Sequence, residues 1–266
     1  MRVRSPQIIE QTMNSIPSLT KEGEIAYSTL AKQIQHDEKV ADFISKEEEL
    51  DLLFLSQFNR FTHSKHFHTW HAISWWFAEN YEFLCLNHIQ EKTKAESQPS
   101  DPFYYLKEKA LKTAMTIFPN LVKPLLKDVR NQAVLSKELF AEALLRILWG
   151  NKADLSMSGG KVDKSEIKSE ASNLLLVDDM EDVWSMIQAK QELQRVIVCA
   201  DNTGLEILCD FVLIAILLYY YPGLNIQYVI KEKPVFVSDV TPVDVEPTFA
   251  ALEKSDDEGM IVVLFT

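Results

Sequence analysis

Apolar positions change their period part-way along the chain. Over about the first 150 residues they recur three and four apart, the spacing of a helix face, between polar stretches that resemble helix starts. Ser18-Leu19-Thr20-Lys21-Glu22-Gly23-Glu24 has a capping residue and an acidic first turn, suited to the unpaired N–H groups of a helix N-terminus. Ser45-Lys46-Glu47-Glu48-Glu49-Leu50 repeats that arrangement ahead of Leu52, Leu53 and Leu55. The stretch 72–88 carries Trp75, Trp76, Phe77, Tyr81, Phe83 and Leu84, too aromatic for a surface helix, so a central one is expected. Residues 95–102 form a polar, proline-bearing connector. Helical spacing resumes over 104–117 and again over 136–148, after the cap-like Ser136.

From Leu174 onward, short apolar runs alternate with helical ones. Leu174-Leu175-Leu176-Val177 reads as a strand, followed by a helix over 181–190. Next come the apolar run 195–200, read as a buried strand, and a long apolar helix over 205–221. After the turn Pro222-Gly223, strands are expected at Ile226–Ile230 and at Pro234–Ser238. Strand, helix, strand with short turns implies a parallel sheet. The fold class expected is therefore α/β (α+β overall). A helical N-terminal domain, 1–160, precedes a Rossmann-like parallel-sheet domain, 161–266.

That topology singles out residues. Asp201 and Asn202 stand where the 195–200 strand ends, and Asp239 stands where the 234–238 strand ends. Strand C-termini in an open parallel sheet converge on one crevice, the usual ligand position. Three oxygen donors there suit a hard divalent cation better than zinc or copper. The competing explanation for Asp201-Asn202-Thr203-Gly204 is simple helix capping, which accounts for the tetrad taken alone. Gly204 adds a backbone able to approach a ligand at a helix N-terminus, where anions are favoured. Trp149-Gly150-Asn151-Lys152-Ala153-Asp154 closes a helix, and Asn151, Lys152 and Asp154 either line the crevice or serve as C-cap and turn. His63, His66, His68 and His71 lie close in sequence but without a nearby cysteine, and read as a polar loop rather than a zinc site. No P-loop, GxGxxG, GxSxG or HExxH pattern occurs, so the common nucleotide, serine-hydrolase and zinc-protease classes are not indicated.

Charge narrows the partners. The chain has 266 residues and a formal net charge of −12, against the basic footprint that nucleic acid or an anionic membrane requires. An anionic small substrate stays open, because one metal ion reverses a local field. The apolar run 211–221 is too short for a bilayer span of about 20 residues. Cys85, Cys199 and Cys209 form no framework spacing and are expected in the core of a protein from a reducing compartment. With no apolar signal stretch after Met1, the cytoplasm is expected, with the nucleus also open.

Three segments in one order carry a family resemblance: Trp149–Ser156, Asp201-Asn202-Thr203-Gly204-Leu205-Glu206, and Phe236-Val237-Ser238-Asp239-Val240-Thr241. Together they resemble the successive signatures of the damage-control phosphatases, in the branch also described as acidic-residue (protein-glutamate) methyltransferases. Trp75-Trp76-Phe77-Ala78-Glu79 and Leu176-Val177-Asp178-Asp179 fit the same branch, and the likeness covers roughly residues 15–245. The resemblance implies a divalent metal (manganese, cobalt, nickel or magnesium) held by Asp201, Asn202 and Asp239. It implies hydrolysis of a small phosphorylated metabolite, a sugar phosphate such as fructose 1-phosphate, at Asp201 and Asn202. Asn151, Lys152 and Asp154 are the further substrate-binding candidates. The methyltransferase alternative would place S-adenosylmethionine near Glu206 and Asp239.

Two departures from the family stand out. Leu84 and Cys85 occupy positions where relatives usually carry arginine, and no Lys-Gly-Asp-Leu-Asn-Tyr motif follows Asp239. The sheet domain is therefore expected to be incomplete at its C-terminus. A third expectation follows, a metal-binding but catalytically impaired fragment. Such a chain would bind manganese yet turn over sugar phosphates at least ~100-fold more slowly than a full-length relative.

Overall fold

A computed structural model describes residues 3–40, 69–150, 175–189 and 195–255. The chain divides into two compact units, Met1–Leu106 and Lys107–Thr266. The boundary expected at 160 lies outside the described residues. The helices that follow Leu106 pack with the α/β elements. The helix entry expected at 45–50, three of the four clustered histidines (His63, His66 and His68), and Asn151, Lys152 and Asp154 lie outside the described residues.

In the first unit, α1 (Arg4–Ser15) packs on α2 (Lys21–Gln35), and α2 packs on α3 (Trp75–Thr93). Helix α2 starts where its cap chemistry says. Thr20 is extended and its Oγ1 accepts from the Gly23 N–H at 3.1 Å, with Glu22 and Glu24 in the first turn. Tyr27, Leu30 and Ile34 then bury one face, and the Tyr27 hydroxyl donates to Gln90 Oε1 of α3 at 3.0 Å. Helix α3 is central only from its second turn: Tyr81, Phe83, Leu86 and Ile89 are buried, whereas Trp75 and Trp76 are exposed. The buried tryptophan is Trp70, ahead of the helix, its ring 5.9 Å from that of Tyr81. His71 is tied to Asp37, its backbone N–H donating to Oδ1 at 2.7 Å.

The second unit contains most of α4 (Tyr104–Asn131), then α5 (Lys137–Gly150) and α6 (Met180–Gln188). After these come β1 (Arg195–Cys199), α7 (Leu205–Tyr220), β2 (Asn225–Val229) and α8 (Pro242–Ser255). Helix α4 runs well past the expected end, through Pro119 and Pro124. Leu111, Ala114, Phe118, Val122, Leu125 and Val129 keep helical spacing and are all buried. Burying each large side chain is worth about 1.5–3 kcal/mol, which outweighs the roughly 3 kcal/mol of each proline. Helix α5 begins at its expected cap, the Leu139 N–H donating to Ser136 Oγ at 3.2 Å, and packs against α7.

β1 and β2 are parallel, with Val196 opposite Ile226 and Val198 opposite Tyr228. These four side chains face the core, alongside α7, which is buried on every side from Leu205 to Leu217. That all-round burial explains why the run from Phe211 is continuously apolar as far as Leu217; beyond it Tyr219 is exposed. No helix among the described residues is long and apolar enough to cross a membrane. The 195–200 strand is buried on one face only. Arg195, Ile197 and Cys199 point outward, so Cys199 is exposed while Cys85 and Cys209 are buried.

Two expected strands are not strands. Residues 175–177 are irregular, with Leu176 and Val177 exposed. Pro234–Ser238 forms turns, and Asp239 meets Asn202 through an isolated antiparallel bridge. The reason is chain length: a parallel neighbour needs a crossover of about a dozen residues or more. Only four residues separate Val229 from Pro234, so the chain must double back.

Candidate functional site

The doubling back builds the site. After β1 and β2 the chain leaves the sheet at the same end, and the returning segment 236–241 is stitched between the two exits. The Val240 N–H donates to the Asp201 carbonyl at 2.9 Å, and the Lys231 N–H donates to the Val240 carbonyl at 3.1 Å. The Thr203 N–H donates to the Ser238 carbonyl at 2.7 Å. Asp201, Asn202 and Asp239 are thus brought together as the topology required, although Asp239 arrives on a turn.

Each side chain has a defined setting. The Asn202 amide is buried and clamped from three sides. Its Nδ2 donates to Glu206 Oε2 at 3.0 Å and to Asp201 Oδ2 at 3.1 Å, while Ser238 Oγ donates to its Oδ1 at 2.6 Å. Asp239 is almost fully buried, and its Oδ2 accepts from the Val235 and Phe236 N–H groups at 3.1 and 2.9 Å. Its Oδ1 accepts from Lys231 Nζ at 2.6 Å, and the same ammonium lies 3.8 Å from Asp201 Oδ1. The Asp201 side chain is 58% exposed, the most open group of the set.

Gly204 turns the chain from this cluster into α7 with φ +81° and ψ −120°, a region that side chains other than glycine's avoid. A Cβ there would lie 3.5 Å from the Ala110 Cβ, an ordinary contact, so backbone strain is the main penalty. Gly204→Ala is expected to cost about 1–3 kcal/mol, read from denaturant unfolding. An unchanged midpoint would mean that this turn relaxes freely.

Carboxylates dominate the electrostatics. Burial raises Glu206 to about 7, the Asn202 hydrogen bond offsetting part of this and Asp210 and Asp201 adding to it. Burial likewise raises Asp210 to about 6, against the hydrogen bond that the Tyr228 hydroxyl donates to it at 2.8 Å, and Asp201 pushes it higher. Such a cluster is short of positive charge. Among the described residues no group of three or more His, Cys, Asp or Glu side chains is disposed to hold a metal alone. The oxygens that meet at a cation are those of the Asp201 and Asp239 carboxylates, which already share one ammonium, while the neighbouring Asn202 amide turns its Nδ2 to Asp201 and its Oδ1 to Ser238. All-oxygen donors suit a hard divalent ion that keeps several waters.

Lys231, Ser238 and Asp210 were not singled out from the sequence. Lys231 was findable, since it follows β2 closely, at the same kind of strand end that pointed to Asp201. Glu206 and Asp239, the pair implied for S-adenosylmethionine, are both engaged inside the protein, the first with Asn202 and the second with Lys231 and two backbone N–H groups.

A parallel strand pair with this cluster at its C-terminal end belongs to the α/β proteins, and the chain as a whole matches one family of phosphatases. It belongs to the damage-control phosphatase ARMT1-like domain family, whose model it matches over residues 1–264. Its relatives include the damage-control phosphatase ARMT1 of Xenopus tropicalis, 36% identical over 137 residues, covering 47% of this chain and 31% of that protein. The ARMT1 of Danio rerio is 29% identical over 212 residues, covering 72% of this chain and 46% of that protein. The human ARMT1 is 30% identical over 135 residues, 47% of this chain and 31% of that protein. The chain thus spans less than half the length of these curated relatives.

Proposed function

We propose that this protein is a metal-dependent phosphomonoesterase acting on small sugar phosphates, of the fructose 1-phosphate kind, in metabolite damage control. The observation that carries the reading is the convergence of the Asp201 and Asp239 carboxylates on one cation, beside the clamped Asn202 amide. Asp201, Asn202 and Asp239 would hold a divalent ion such as manganese or cobalt. When bound, that ion supplies polarisation of phosphoryl oxygens and orientation of the attacking group. The protein's own contribution is preorganisation. Ser238 and Glu206 fix which end of the Asn202 amide faces which neighbour, and the two N–H groups on Asp239 Oδ2 hold that carboxylate still. A site held in this way needs little rearrangement as charge develops on phosphate. Asp201, the exposed member, is the group best placed to meet a substrate arriving from solvent.

The test is turnover of a sugar-phosphate panel with added manganese or cobalt, wild type against Asp201→Ala. At least ~100-fold loss is expected, the scale of removing one electrostatic stabiliser, together with loss of manganese binding by titration. Equal turnover in the two proteins would exclude this cluster as the source of activity.

A further inference from the structure

We propose that Lys231 is a built-in counter-ion which yields its place between Asp201 and Asp239 to the divalent ion and then serves as the phosphate-facing cation. The assignment rests on Asp201 and Asp239 being the metal's ligands. Lys231 Nζ lies 2.6 Å from Asp239 Oδ1 and 3.8 Å from Asp201 Oδ1. Asp239 Oδ2 is already committed to the Val235 and Phe236 N–H groups, so Oδ1 is the oxygen turned to a cation. An ammonium and a divalent ion therefore compete for the same oxygen.

The lysine is built to leave. Its backbone is pinned by the hydrogen bond to the Val240 carbonyl, but its side chain is 36% exposed. A lysine head is a compact, strongly hydrated charge on a flexible stem, without the rigid fork that would lock an arginine onto carboxylates. Where it sits, Nζ is also 5.7 Å from the Phe236 ring centroid, within the range over which an aromatic face attracts a cation, so one of its partners is a surface for which a divalent ion does not compete. Charge counting gives the consequence. Lys231, Asp201 and Asp239 together carry one net negative charge, which repels phosphate. With a divalent ion added, the same set carries one net positive charge, which attracts it. Metal loading would reverse the sign of this trio and leave the buried Glu206 and Asp210 behind it as the remaining negative charge, and the displaced ammonium would supply the positive group nearest the phosphate.

Coupling of this kind is reciprocal and is typically worth about 5- to 150-fold. Manganese titration of Lys231→Met should give binding about tenfold tighter than wild type, with Lys231→Arg no tighter than wild type. In the manganese-saturated proteins, inorganic phosphate should bind several-fold more weakly to Lys231→Met. An independent reading uses wild type alone: an amine-reactive reagent should label Lys231 faster once manganese is added. Equal or weaker manganese binding by Lys231→Met, or unchanged labelling, would overturn the competition and leave the metal site standing. Tighter manganese binding with unchanged phosphate binding would overturn the phosphate role. No manganese binding by either protein would defeat the ligand assignment itself, and this inference with it.

Discussion

Replacing Glu82 by glutamine is expected to abolish a stability loss of up to about 5 kcal/mol that the wild type undergoes as pH rises from about 4.5 to about 8. Glu82 is fully buried on α3, and neither carboxyl oxygen finds a well-aligned hydrogen bond. Burial is the main cause that raises it from 4.5 to about 8. The Ser5 hydroxyl and the Arg4 guanidinium lower it, and the Glu79 carboxylate raises it. Arg4 is itself shared with Glu79, 4.0 Å away. The sign follows from proton counting. Between the two values the folded chain holds a proton that the unfolded chain has released, so each step up in pH favours unfolding. The contribution is fully present below about 4.5 and gone above about 8. Glutamine stays neutral throughout.

Glu206 and Asp210 are raised as well and lose stability in the same direction, but both proteins retain them, so they cancel in the difference. Denaturant unfolding of the two proteins across about pH 4.5–8.5 gives that difference directly. Parallel profiles would mean that Glu82 ionises with little penalty in the folded protein.

The second large effect is predicted at Asp244. Asp244→Ala should cost about 3–5 kcal/mol, because it strips the carboxylate from a buried ammonium. Lys107 and Asp244 are 1% and 5% exposed, with Nζ 2.9 Å from Oδ2. The same oxygen accepts from the Thr241 N–H at 2.9 Å and from the Thr241 hydroxyl at 2.7 Å. This is a capping arrangement: Thr241 precedes α8, Pro242 is its first residue, and the acidic side chain reaches back from the first turn. One residue thus starts a helix and neutralises a charge. Replacing both members with apolar residues, Lys107→Met with Asp244→Leu, should recover much of the loss, since the desolvation penalty of both charges disappears. Thermal and denaturant unfolding of the single and double variants would decide it. A single variant within about 0.5 kcal/mol of wild type would mean that water reaches the ammonium.

Which parts of this protein were legible follows from how far apart the cooperating residues lie in sequence. Caps are local. Thr20 with Gly23, and Ser136 with Leu139, act across three residues, so the starts of α2 and α5 could be read directly. The β1–α7–β2 unit was legible for a related reason. Its strands are short apolar runs, its helix is apolar all round, and its turns are short. Those features left few alternatives, and they put Asp201 and Asn202 at a strand end. The family likeness agreed with that reading on the same residues.

Misreadings arose where an apolar run had no local partner to declare its setting. Leu176 and Val177 look like a strand but have no strand beside them among the described residues. Trp75 and Trp76 look like core, yet Trp70 fills that position instead. Helix α4 outruns its 104–117 periodicity because Phe118, Val122, Leu125 and Val129 bury a face that overrides Pro119 and Pro124.

By itself, then, the sequence determined the helices with strong caps, the parallel pair and the carboxylate–carboxamide at its end, because each is specified by residues within a few positions of one another. Only the tertiary structure decided that Asp239 returns on a turn rather than a strand, that Ser238 and Glu206 clamp Asn202, and that Lys231 stands between two carboxylates. Ser238 meets Asn202 across 36 positions and Lys231 meets Asp201 across 30, while the shorter contacts of Glu206 with Asn202 and of Lys231 with Asp239 sit inside turns whose paths depend on the longer ones. No local periodicity encodes them. They follow from closing the chain around α7, which leaves the polar groups at the strand ends to satisfy one another.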